Sequence, residues 1–153
     1  MWIMRKIIYA TIALGAMAAA ATPAQAARRN FDGTITLAPI AETGNPPFSG
    51  NADYAGSVTS TLGRGALLAH NDYTYSPAFQ GTFRIFFNKG TLRATTSGSG
   101  SAAPGGGIGI TGAGQITKGT GKYKGAKGKF TFTGTEPPNS EIRTFEVDGS
   151  VKY

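Results

Sequence analysis

The sequence predicts an all-β protein, an eight-stranded antiparallel up-and-down β-barrel preceded by a signal peptide. Three observations carry that reading. From Asn30 onward almost nothing repeats with helical period, while β-branched and aromatic residues recur in short runs. The runs are separated by Gly, Pro, Asn and Asp, which turn or end extended chain. They number eight, in mostly sequential and tightly connected order, and eight strands close a barrel whose interior fills with side chains or holds one small ligand.

The first 26 residues stand apart. Arg5-Lys6 precedes an apolar run, residues 7–21, broken only by Thr11 and Gly15, and Thr22-Pro23-Ala24-Gln25-Ala26 follows. A charged start, a short apolar centre and an Ala-x-Ala end make a secretory signal peptide, with cleavage expected after Ala26. The apolar run is shorter than the ~20 residues that span a bilayer. Arg28-Arg29 follows that run, so it is no twin-arginine signal. Residues 27–153 are expected to be exported to the periplasm or the extracellular space as one domain, with no stable membrane span after cleavage. The chain has no cysteine, so an oxidising compartment is met without disulfides, and stability rests on burial and sheet hydrogen bonds.

The strands follow in order. Residues 31–37 alternate apolar with polar, as a strand with one buried face does. Pro39 is expected to end it, and residues 42–51, with two prolines and two glycines, read as a long loop: a flap plugged by Phe48, or a plain connection. Runs at 55–62 and 66–75 flank Gly63-Arg64-Gly65 as a hairpin. Residues 79–87 place Phe79, Gly81, Phe83, Ile85 and Phe87 on one face, and Asn88-Lys89-Gly90 turns the chain into 91–96. Residues 97–107, rich in Ser and Gly, read as a mobile loop. In 108–117, Ile108, Ile110 and Ile116 share parity with Gly112 and Gly114, glycines of the kind that mark bends in a closing barrel. Phe130 and Phe132 share a face of the seventh run. The last run, 142–153, sets Phe145, Val147, Val151 and Tyr153 opposite Glu146, Asp148, Ser150 and Lys152.

Before the seventh run stands Gly119-Thr120-Gly121-Lys122-Tyr123-Lys124-Gly125-Ala126-Lys127-Gly128. Its glycine spacing lacks G-K-[ST] and leads into a strand, which fits neither a phosphate loop nor a dinucleotide fold. It reads as a tight turn with close packing of Tyr123 and Ala126. At Gly119, Gly121, Tyr123, Gly125, Ala126 and Gly128 it resembles the G-x-G-x-[FY]-x-G-A-x-G turn of the allene oxide cyclase-like barrel superfamily, which includes the plant dirigent proteins. The resemblance covers residues 81–153 and is topological before them. It implies an eight-stranded antiparallel barrel with a mostly apolar cavity, association into dimers or trimers, and guidance of reactive intermediates by shape and exclusion of water. It transfers no catalytic residue to this chain.

Polar candidates are few. His70 is the only histidine, so neither a multi-histidine metal site nor a nucleophile triad is supplied, and no metal or other cofactor is expected. His70 and Asp72 share a side of their strand, as a proton-transfer pair at a cavity mouth or as a wet strand end. Arg84 is either a cavity cation for a carboxylate or phenolate, or an outer residue whose stem covers apolar surface. Glu146 and Asp148 fall on the face opposite the core. The chain holds 15 Lys and Arg against 8 Asp and Glu, an excess that favours solubility and raises the local concentration of anionic partners. No nucleic-acid motif occurs, and no such partner is expected.

The expected inner face is Phe83, Ile85, Phe87, Ile110, Phe130, Phe132, Phe145 and Val147. It either encloses a small apolar or anionic molecule or is packed shut as a scaffold. The alternatives are a dirigent- or cyclase-like enzyme, with Arg84 or His70 and Asp72 as polar anchor, and a structural, homo-oligomeric envelope protein.

Overall fold

Alternation of large apolar with polar residues produces one closed sheet in the computed structural model, which describes residues 26–46, 49–75 and 77–153. The expected leader up to Gln25, and Phe48 with its plug role, lie outside the described residues. The strands are β1 (Arg28–Asn30), β2 (Gly33–Asn45), β3 (Ser49–Ser60), β4 (Gly63–Tyr75), β5 (Ala78–Phe87), β6 (Gly90–Ala102), β7 (Ile108–Gly119), β8 (Lys127–Glu136) and β9 (Arg143–Lys152). From β2 to β9 each pairs antiparallel with the next, and β2 pairs with β9 to close the ring. β1 lies on β9 in the same register as β2, with Arg28 opposite Lys152 and Gly33 opposite Val147. The two are one barrel strand interrupted at Phe31-Asp32, so the barrel has eight strands, as the sequence predicts.

Phenylalanine rings cross the interior because their cross-strand neighbours have almost no side chain. Phe79 faces Gly98, Phe132 faces Gly112, Phe130 faces Gly114 and Phe145 faces Gly134. A Cβ on Gly114 would stand 2.0 Å from the Phe130 ring, and one on Gly112 would stand 2.3 Å from Phe132. Each ring thus lies flat over its neighbour's backbone, and edge-on contacts such as Phe31 with Phe130 (5.7 Å) and Phe132 with Phe145 (5.8 Å) join the rings. Burying each aromatic contributes about 1.5–3 kcal/mol.

One end of the barrel is stoppered by the glycine- and lysine-rich stretch. Between β7 and β8 a single 3-10 turn, Gly121–Tyr123, drops the Tyr123 ring inward against Phe87 (5.2 Å) and Tyr153 (5.0 Å). Gly121 and Gly125 hold φ of 58° and 81°, and a Cβ on Gly119 would come within 1.9 Å of the Tyr123 carbonyl. Tyr123 and Ala126 are buried. At the opposite end the strand pairs β2–β3, β4–β5, β6–β7 and β8–β9 are joined, the last two through residues 103–107 and 137–142.

Two expected loops are strands instead. Pro39 does not end β2: it sits opposite Tyr54, and the register shifts by one residue at Ile40, a bulge that tolerates the missing amide. Beyond it, residues 41–45 pair with 49–53. Gly44 and Gly50, at φ 86° and 88°, face each other at a separation that a Cβ would prevent, so these glycines serve a hairpin tip. Likewise β6 runs through 97–102, paired with 108–113 of β7, and only 103–107 connect. The inward Gly98 accommodates the Phe79 ring, whose contact holds this glycine-rich strand in the sheet.

Candidate functional site

The open end holds a buried arginine. Arg143, the first residue of β9, has the inward parity of Phe145, Val147 and Val151 and is 8 % exposed. The last residue of β8, Glu136, shares the parity of Phe130 and Phe132, and its carboxylate accepts from Arg143 Nε. Tyr54 on β3 and Tyr73 on β4 bring their hydroxyls together from across the ring. Arg143 Nη1 donates to Tyr54 Oη at 2.5 Å and to Tyr73 Oη at 2.7 Å, and the two hydroxyls are 2.8 Å apart. Asn71 Nδ2 also donates to Tyr73 Oη, at 3.2 Å. The guanidinium carbon lies 4.7 Å from the centre of the Tyr54 ring, a cation over an aromatic face.

The electrostatics of this cluster are self-consistent. Burial opposes the charge of Arg143, but the Tyr73 and Tyr54 hydroxyls and the Glu136 carboxylate outweigh it and hold the guanidinium pKa above its ordinary value. Burial first, and then the hydrogen bond with Tyr73, pushes the Tyr54 hydroxyl well above the usual phenol value, against the pull of Arg143. The site therefore presents a fixed cation beside a neutral Tyr54 phenol. Nη1 and Nε are committed, whereas Nη2 has no hydrogen-bond partner among the described residues. Arg143 itself lines the space that opens at this end of the barrel.

That space is a chamber of about 280 Å³, lined by the polar Arg143, Glu136, Tyr73 and Asn71 and by the apolar Phe79, Ile108, Ile110 and Phe145. Asn71, Phe79 and Phe145 also line a second, apolar space of about 50 Å³ deeper in the barrel. The interior is a cup: sealed below by Tyr123, narrow at its middle, and wider at the mouth where the polar groups converge.

The expected inner-face residues all point inward, at different depths. Phe83, Phe130, Phe132 and Val147 line the deeper space, Phe145 lines both, and Ile110 lines the upper chamber. Ile85 and Phe87 are buried nearer the stoppered end. The polar candidates lie elsewhere. His70 points outward, and its Nδ1 is 2.7 Å from Asp53 on β3, both side chains about half exposed; Asp72 is exposed on the same outer wall. Arg84 is also on the outer wall, 5.7 Å from the Phe86 ring, and Glu146 faces outward to accept from Thr34 Oγ1 at 3.1 Å. Sequence reasoning passed over Arg143, Glu136, Tyr54 and Tyr73. The signal that could have found them is parity, since each shares the inward phase of its strand.

Among the described residues no group of His, Cys, Asp and Glu forms a metal site, and no helix is long and apolar enough to cross a membrane. Fold and chamber together define a small closed β-barrel with an apolar well and a mouth where a buried arginine, ion-paired with Glu136, meets two tyrosine hydroxyls. No family model, curated protein or solved structure matches the chain.

Proposed function

We propose that the protein binds a small molecule with an apolar body and an anionic or oxygen-rich head, the head on Arg143 and the body against Phe79, Ile108, Ile110 and Phe145. The observation that carries this reading is a buried arginine, its Nη2 without a hydrogen-bond partner among the described residues, in the wall of a chamber that also presents Phe79, Ile108, Ile110 and Phe145. Desolvating a guanidinium is costly, and a donor left facing an apolar cavity is repaid when an acceptor fills it. The chamber volume is just below the ~300 Å³ at which small-molecule pockets begin, so the ligand is small. The proposed family affinity, with allene oxide cyclase-like barrels, is consistent with such a well, and so is an exported protein that shelters its ligand from water.

The test is native mass spectrometry of protein purified from its own source, wild type beside Ile108→Trp, which fills the chamber while leaving the Arg143 side chain in the sequence. A bound small molecule present in the wild type and lost in the variant is expected. A wild type that carries no ligand and takes up none from a panel of aromatic and aliphatic carboxylates sinks the reading.

A cyclase- or dirigent-like enzyme is the second reading. It is favoured by the convergence of donors, Arg143 and Asn71, at one end of an apolar space, where negative charge developing on an oxygen would be met. Recovering the bound molecule chemically changed, rather than unchanged, distinguishes it from simple binding.

A further inference from the structure

The barrel carries opposite charge at its two ends. Around the stoppered end, Arg64, Lys89, Lys122, Lys124, Lys127 and Lys152 are all exposed, on the closing turns or at the strand ends beside them. None of the six is ion-paired among the described residues. Asp32, beside the turn at Thr61, is a carboxylate at the same end, where it accepts from the Gly149 amide at 3.3 Å, and the six cations outnumber it. At the mouth the balance inverts: Glu42, Asp72, Glu136 and Glu141 belong to that end, and its cation, Arg143, is buried inside.

The basic surface climbs the outer wall from the stoppered end. Arg84, Arg93 and Lys118 are direct cross-strand neighbours on β5, β6 and β7, on strands about 4.8 Å apart. Like charges placed opposite one another across a sheet repel, and none of these three has an ion-pair partner among the described residues. Phe86 and Leu68, 37 % and 49 % exposed, flank Arg84 on the same wall. A row of mutually repelling cations beside exposed apolar groups is unfavourable in water and is relieved by an anionic, partly apolar surface.

We propose that the stoppered end docks on an anionic lipid bilayer, with its lysines on the phosphate-bearing headgroups and the chamber mouth turned to the water. The chemistry favours lipid over a polymeric anion. Five of the six end cations are lysines, hydrated point charges that attract an anionic surface without the bidentate geometry arginine brings to a phosphate. They are spread over the blunt end of a barrel, while a polymer backbone is followed by a groove. The carboxylates of the mouth are repelled by the same surface, so the charge separation along the barrel axis sets the orientation.

The test is co-sedimentation of the full chain with phosphatidylcholine vesicles, with and without phosphatidylglycerol, comparing wild type with the triple variant Lys89→Ser/Lys122→Ser/Lys124→Ser. Partition onto the anionic vesicles is expected to fall about 100-fold in the variant, from about fivefold per charge near the surface. High salt should abolish the same difference, and the two proteins should bind neutral vesicles equally. Because the chain has no cysteine, single labels at Asn88→Cys and Glu141→Cys read the orientation: on anionic vesicles the first becomes shielded from an aqueous quencher and the second does not. Equal partition of wild type and triple variant onto anionic vesicles overturns the proposal. So does equal shielding of the two labels, and so does salt-sensitive binding to heparin with none to vesicles.

Discussion

Arg143 and Tyr73 meet through a 2.7 Å hydrogen bond that spans the open end of the barrel, joining β9 to β4 on the far side of the chamber. The bond makes the mouth a braced ring and leaves Glu136, next door on β8, with a guanidinium for its partly buried carboxylate. Arg143→Met should therefore destabilise the protein by about 3–5 kcal/mol, the cost of stranding one partner of a buried pair. Adding Glu136→Gln to it should recover part of that loss. Chemical denaturation of the two single variants and the double variant, read as a cycle, checks both statements.

Tyr54 gives the cluster a pH signature. Its folded-state pKa is raised above 10.0 by burial and by its bond to Tyr73, so the folded protein holds this proton more tightly than the unfolded chain does. The stabilisation is complete below the unfolded value and is lost as the pH rises through 10.0 towards the folded value. Tyr54→Phe removes the group and leaves one Nη1 proton unbonded, at a cost of about 1–3 kcal/mol at neutral pH. The gap between wild type and variant should then narrow as alkali is added, measured by urea unfolding at a series of pH values.

How far these features were legible in the sequence depended on the reach of the signal each one needs. Alternation is local, so the runs holding Phe83 and Ile85, or Phe130 and Phe132, gave their inward faces and the strand number directly. Hairpin ends are decided by pairing across the turn, and neither Gly44 opposite Gly50 nor Gly98 under Phe79 can be seen from one strand alone. Both stretches therefore read as loops. Composition also misdirected the site, because His70 and Arg84 attract notice as lone polar groups among apolar ones, yet both have outward parity. Arg143 and Glu136 sit at strand ends, where a polar residue looks unremarkable, and only the closing of β9 onto β2 and β8 encloses them.

The glycines under the rings offer a separation of packing from backbone strain. At Gly114 a Cβ would stand 2.0 Å from Phe130, a ring held between Phe31 and Phe83 with little room to withdraw. Gly114→Ala should cost about 1–3 kcal/mol, as overpacking of a filled core does. Gly125 has open space around it and a φ of 81°, so Gly125→Ala meets backbone strain alone and should cost about 1 kcal/mol. Thermal unfolding of both variants distinguishes the two origins. A larger loss at Gly125 would mean that the turn, rather than ring packing, limits the fold.

His70 provides the sharpest contrast with Arg143. The histidine and Asp53 form a half-exposed pair on the outer wall, separated from the chamber by the sheet itself. Exposed pairs contribute roughly 0–1 kcal/mol because water screens them and ordering the side chains offsets the attraction. His70→Ala should therefore leave both stability and chamber binding close to wild type. Arg143→Gln, which keeps polarity but removes the charge, should weaken the binding of a carboxylate ligand at least tenfold, since a charged hydrogen bond of about 1.5–3 kcal/mol is lost. Calorimetric titration of the two variants with the same carboxylate decides where the ligand sits, and loss of binding in His70→Ala alone would move the site from the chamber to the outer wall.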